Sequence, residues 1–120
     1  MKLITKELIT RFSKVGDQSE VSNPRIIAKF FDPTGSATWY ATEYNSERNI
    51  CFGYVTGLFE DEWGNFSIDE LESLKRPFGL SIERDIHFKE TLFNDLNKER
   101  RLNGLEKEQP SKDKTDELER

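Results

Sequence analysis

Six carboxylates fall between residues 60 and 72 with no basic residue among them: Glu60, Asp61, Glu62, Asp69, Glu70 and Glu72. Hard cations such as magnesium and calcium take clustered oxygen ligands, so this density is the first chemistry the chain suggests. The spacing does not follow an EF-hand loop, and the single histidine leaves no second nitrogen ligand. Asp69 and Glu70 also suit the first turn of a helix, where the dipole favours negative charge. The expectation is a solvated acidic edge, with no metal and no cofactor, and with Glu60, Asp61, Glu62 and the adjoining Trp63 as a docking surface for a partner.

Glu43 is the second polar candidate. Residues 37–44 alternate, with Ala37, Trp39, Ala41 and Glu43 on one face and Thr38, Tyr40, Thr42 and Tyr44 on the other. If the first face is buried, Glu43 needs a partner, because an unpaired buried charge is costly. Arg84 stands among Leu80, Ile82, Ile86 and Phe88 in a later period-two run and is the expected partner. The alternatives are a structural ion pair, simple exposure of Glu43 at the strand end, or the polar floor of a pocket joined by Tyr40 or Tyr54. Gly53 and Gly57 remove side chains from one face of the run 50–60, which implies a close approach there. The approaching group is either a packed element or bulge, or a ligand on a shallow platform.

No catalytic residue is expected. His87 shares a face with Asp85, a geometry open to a carboxylate-supported base, but a lone histidine on a polar strand face also reads as solvated. Cys51 lies between apolar neighbours with no adjacent base to lower its pKa, so it reads as core. Neither a nucleophile elbow nor a glycine-rich phosphate loop is present.

The elements that must position these residues come from periodicity and punctuation. Residues 3–15 predict an amphipathic helix with Thr5 as N-cap and Gly16 as its stop. A polar loop runs to Pro24, and residues 25–32 predict a strand ended by the turn Asp32-Pro33-Thr34-Gly35. Strands over 37–44 and 50–60 come next, then an acidic turn and the turn Trp63-Gly64-Asn65. Ser67 and Glu70 form a capping box for a short helix over 67–75, with Phe66 and Leu71 as its staple and Leu74 facing inward. A strand over 80–88 and a helix over 91–103, capped at Gly104, complete the domain. The fold class is α+β, an antiparallel meander of about four strands with helices on one side. Residues 1–104 form one domain, and residues 105–120 are a charged tail expected to be disordered or a frayed helical extension.

Composition narrows the partners. The hydrophobic and charged fractions are equal at 34%, and aromatics supply 12% of 120 residues. The core must therefore come from rings and branched side chains rather than enclose a large cavity. The formal net charge is −5, opposing general binding to a phosphate backbone. Aromatics interleaved with Arg25 and Lys29 keep a stacking platform for single-stranded nucleic acid open as a third reading. One cysteine excludes an internal disulfide. The opening MKLITKELITRF breaks its apolar pattern with charges, and no apolar run reaches the roughly 20 residues of a membrane span. A cytoplasmic protein without a membrane partner is expected.

Several runs together resemble one family. They are Met1-Lys2-Leu3-Ile4-Thr5-Lys6-Glu7-Leu8, Trp39-Tyr40-x-Thr42-Glu43 and Phe52-Gly53-Tyr54-Val55-x-Gly57-Leu58. Gly64-x-Phe66-Ser67-x-x-Glu70-Leu71-Glu72 and Pro77-x-Gly79-Leu80-x-Ile82-Glu83-Arg84-Asp85-x-x-Phe88 continue the match in order, covering nearly all of residues 1–88. The chain resembles a family of small proteins known as a domain of unknown function, DUF2958. The resemblance implies a protein encoded on bacterial plasmids, conjugative elements or phages, with no activity to carry over. After Phe88 the chain departs from the family's usual proline-containing end and enters a helix and charged tail. The leading expectation is a non-enzymatic accessory protein of a mobile element, acting through protein contacts at its acidic surface. The alternative is a small-molecule or nucleotide-binding module, open to enzymatic use, built on Glu43, Arg84 and the Gly53 and Gly57 face.

Overall fold

The computed structural model describes residues 1–107. Most of the expected tail, from residue 108 on, lies outside the described residues. The Thr5 hydroxyl accepts from the Leu8 backbone N–H at 3.2 Å and starts helix α1, Lys6–Val15. Such a cap stabilises by about 1 kcal/mol. Gly16 ends the helix at φ 75°, where its N–H donates to the Phe12 carbonyl at 2.9 Å. Leu3 and Ile4, included in the expected helical span 3–15, precede the cap and are buried.

Strand β1, Arg25–Ile26, leads into β2, Ala28–Phe31, then β3, Thr38–Asn45, and β4, Ile50–Thr56. The next strand, β5, Glu62–Ser67, occupies residues whose local pattern reads as turns. It pairs with β4 in unbroken register, from Val55 opposite Glu62 to Ile50 opposite Ser67. Helix α2, Ile68–Ser73, comes directly after it, with the Ser67 hydroxyl accepting from the Glu70 N–H at 3.1 Å. The chain then returns to β6, Glu83–Arg84, on the far edge beside β2. Strand β7, Thr91–Leu92, pairs with β1 and leads into helix α3, Phe93–Lys107. The main sheet has the order β5-β4-β3-β2-β6 with every pair antiparallel. The fold is α+β, as the periodicity implied.

Four expectations about these elements need correcting. The run over 80–88 keeps only Glu83 and Arg84 as strand, and its alternate residues Leu80 and Ile86 are exposed. Strand β2 offers that edge only Phe30 and Phe31 as partners, so the pattern has nothing further to pair with. Leu74 caps α2 and is exposed, while Ile68 is buried in its place. The last helix begins after β7 and continues through Gly104. The helices do not share one side of the sheet. Side chains of α1 and α2 (Phe12, Ile68, Leu71) join Trp39, Ala41 and Cys51 in one core. From α3, Phe93 and Leu96 pack with Tyr40 and Tyr54 on the opposite face.

Asp32 fixes the β2–β3 turn. One carboxylate oxygen accepts from the Thr34 N–H at 2.9 Å and from the Thr34 hydroxyl at 2.8 Å, and Arg76 lies 2.8 Å from the other. Burial alone would raise its pKa, but the Thr34 bonds and the Arg76 charge outweigh it and hold the carboxyl below its ordinary value. A depressed carboxylate stabilises the fold above its unfolded pKa, and that contribution is lost as pH falls through the lower folded value. The stability gap between wild type and Asp32→Asn, measured by urea unfolding, should be full at neutral pH and shrink below about pH 4.

The glycines give a second test. A Cβ on Gly53 would stand 1.9 Å from the Tyr40 carbonyl oxygen, whereas one on Gly64, directly opposite in β5, would meet nothing within 4 Å. Gly53→Ala should therefore cost about 3 kcal/mol or more in chemical denaturation. Gly64→Ala should stay within about 1 kcal/mol of wild type.

Candidate functional site

The site begins with one extra residue in β3. Ala41 stands opposite Gly53, and Glu43 stands opposite Phe52, so Thr42 has no cross-strand partner. This is a β-bulge, and it reverses which face the next residues meet. Trp39 and Ala41 belong to the core under α1 and α2. Beyond the bulge Tyr44 takes that side, packing on Phe12 with ring centroids 5.8 Å apart. Glu43 is thereby turned to the opposite face, away from Trp39, which corrects the simple alternation.

Gln18, placed by sequence in a featureless loop, holds the bulge. It is 7% exposed, and its side-chain amide donates to the Thr42 and Arg25 carbonyls, each at 2.9 Å. Its side-chain oxygen accepts from the Arg25 N–H at 2.7 Å, and its backbone N–H donates to Glu43 Oε2 at 2.9 Å. The partner of Glu43 is thus Gln18 rather than Arg84. The Arg84 guanidinium instead donates to the Lys2 and Leu3 carbonyls at 3.3 and 3.4 Å, tying β6 to the N-terminal segment.

The face that receives Glu43 is aromatic. Phe52 and Trp63 stack at 6.0 Å with planes 13° apart. Tyr54 and Trp63 meet at 5.1 Å, and Phe93 of α3 packs on both at 5.0 and 4.8 Å. Tyr40 sits deeper, with Lys29 and Arg100 each 6.0 Å from its ring centre. Burial raises the Tyr40 phenol pKa, partly offset by the Arg100 charge. Of the sequence candidates, the structure gathers Glu43, Tyr40, Tyr54 and Trp63 on one face and leaves Arg84 elsewhere. Gly53 and Gly57 serve the backbone. Gly53 lets β3 approach at the bulge, and Gly57, at φ 80°, would set a Cβ 1.9 Å from the Ser36 carbonyl oxygen.

The acidic stretch is dispersed. Asp61 accepts from the Gly57 N–H at 3.2 Å and lies 3.6 Å from Arg100. Asp69 accepts from the Asn49 side-chain amide at 2.8 Å, and Glu72 from the Leu3 N–H at 2.8 Å. Among the described residues no three His, Cys, Asp or Glu side chains converge as a metal site. Glu60 and Glu62 remain exposed at the β4–β5 turn beside Leu58 and Phe59, which are 60% and 101% exposed. The sequence pattern runs Leu58 and Phe59 into the preceding strand. The turn signal at Gly57 is the cue that they project from a hairpin tip.

Asp85 accepts from the His87 backbone N–H at 2.9 Å and lies 3.4 Å from Lys29, so its bonds serve the turn rather than the imidazole. Cys51 is fully buried, and burial pushes its thiol up to about 12. No helix among the described residues is long and apolar enough to cross a membrane.

Two measurements check this geometry. Gln18→Ala removes the partners of buried backbone groups and should cost about 1–3 kcal/mol in urea unfolding. Cys51 should resist a thiol-specific reagent in the native protein at pH 8, its labelling rate tracking the unfolded fraction as urea rises.

The chain matches, over residues 3–96, the model of a family described as a protein of unknown function, DUF2958. No curated protein and no solved structure gives a significant match. The matched span runs from the buried Leu3 to Leu96 of α3, taking in the sheet, the bulge and both cores. The chain belongs to the DUF2958 family.

Proposed function

We propose that the protein is a cytoplasmic, non-enzymatic accessory protein of a bacterial mobile genetic element, acting by docking on a basic protein partner. The observation that carries this reading is the β4–β5 hairpin tip. Phe59 is fully exposed and Leu58 largely so, and the exposed Glu60 and Glu62 follow them. A protruding apolar side chain within an acidic rim suits a partner surface with an apolar pocket inside a basic field. The net charge of −5 supports the same polarity and would speed encounter with such a partner. A basic partner that itself binds nucleic acid would have its binding surface occupied. The mobile-element setting is what the resemblance to the family implies.

Asp61 braces the hairpin through Gly57 and Arg100, so the informative variant spares it. Phe59→Ser combined with Glu60→Lys and Glu62→Lys alters only exposed side chains, two at the tip and one at the first residue of β5. Affinity capture from host cells carrying the element should recover a basic partner with wild type. The triple variant should lose it while keeping its thermal midpoint within a few degrees. An unchanged set of captured proteins would reject the docking surface.

A further inference from the structure

A cleft of about 480 Å³ opens beside the bulge, between the 18–24 loop, the Phe52 and Asn65 pair, Trp63 and the start of α3. Its size falls within the range of small-ligand sites. Among the described residues Glu43 is the single charged one lining it, and no lysine or arginine does. The cleft is separate from the hairpin tip, and its chemistry is independent of any docking there.

Two features fix the chemistry the cleft would recognise. Phe52 and Trp63 stack on each other with planes 13° apart, and they are 36% and 37% exposed, so each leaves part of its π surface open. Glu43 stands directly across the strand pair from Phe52, on the same face. Its Oε2 is held by the Gln18 N–H, and its Oε1 accepts no hydrogen bond among the described residues. A carboxylate is therefore held beside exposed aromatic surface with one oxygen open. A phosphate-bearing ligand would meet negative charge and no cation. A neutral ring would stack and, where it carries in-plane N–H donors as guanine does, would bond the carboxylate, but it would leave the negative charge uncompensated. A spherical ammonium would answer the charge but is strongly hydrated and covers a ring face poorly. A planar cation with N–H donors in its plane satisfies both features, stacking on the rings and donating in-plane to the carboxylate.

We propose that this cleft binds a guanidinium group, with Glu43 accepting its N–H donors and an exposed aromatic face of the Phe52–Trp63 pair stacking on its plane. The group can belong to a free guanidino compound or to an arginine side chain of a partner protein. Both present the same chemistry to the cleft.

The test is an NMR titration of the full chain with ethylguanidinium, ethylurea as its neutral counterpart, guanosine, and a capped Gly-Arg-Gly peptide. Glu43→Gln retains an oxygen to accept from the Gln18 N–H, so it removes the charge while keeping the anchor of the loop. Ethylguanidinium should shift the Trp63 indole and the Asn65 side-chain amide saturably. Ethylurea should leave both unmoved, and Glu43→Gln should weaken binding by about tenfold or more at an unchanged thermal midpoint. Tighter binding of the peptide than of ethylguanidinium assigns the cleft to a partner's arginine, and the reverse order assigns it to a free compound. Equal affinity of wild type and Glu43→Gln, equal binding of ethylurea, or shifts spread away from Trp63 and Asn65 would overturn the proposal. Guanosine binding that ignores the Glu43 charge would do the same, showing a stacking platform without cation recognition.

Discussion

The structure depends on the bulge at Thr42 and on the glutamine that holds it. A strand that gains one residue loses a cross-strand partner and must satisfy the freed carbonyl elsewhere. Here the Gln18 amide reaches in from the loop after α1 and supplies that bond. The same side chain pairs both backbone groups of Arg25, so it also fixes where β1 begins. An unpaired buried carbonyl costs about 1–3 kcal/mol, which makes the loop and the bulge mutually dependent. Gly53 is the third member, since only a residue without a Cβ lets β3 come this close.

From that one irregularity the two faces of the sheet acquire their characters. Without the bulge, Glu43 would join Trp39 and Ala41 in the core beneath α1 and α2, where a carboxylate finds no partner. With it, Tyr44 fills that place against Phe12, and its hydroxyl donates to the Asn49 side chain at 2.6 Å. Asn49 in turn donates to Asp69 and accepts from the Ile68 N–H at 3.0 Å, docking α2 on the β3–β4 hairpin. On the other face the displaced carboxylate joins a surface of rings that α3 covers only in part. The aromatic residues therefore divide between a closed core and an open one, and the open one borders the cleft.

Much of the fold is legible in the sequence because its signals are local. Thr5 and Gly16 bracket α1 by capping chemistry, and Ser67 with Glu70 marks the start of α2. The order of motifs from Leu3 to Phe88 is enough to indicate the family. The misses share a different cause. Strand β5 reads as a turn because Gly64 and Asn65 have low strand propensity, and only its pairing with β4 makes it a strand. The bulge is silent because Thr42 is an ordinary strand residue, so an alternation count passes through it and puts Glu43 on the wrong face. Gln18 and Glu43 come together across 25 positions of chain, a contact no local pattern carries. Glu43, Tyr40, Tyr54 and Trp63 are recognisable as residue types, but their arrangement requires the topology.

The bulge turns Glu43 onto the aromatic face and Tyr44 into the core, and side-chain NOEs measure this directly. The Glu43 methylene protons should show NOEs to the Phe52 ring, and the Tyr44 ring protons should show NOEs to the Phe12 ring. NOEs from Glu43 to Phe12 or Trp39, with Tyr44 against Phe52, would contradict it.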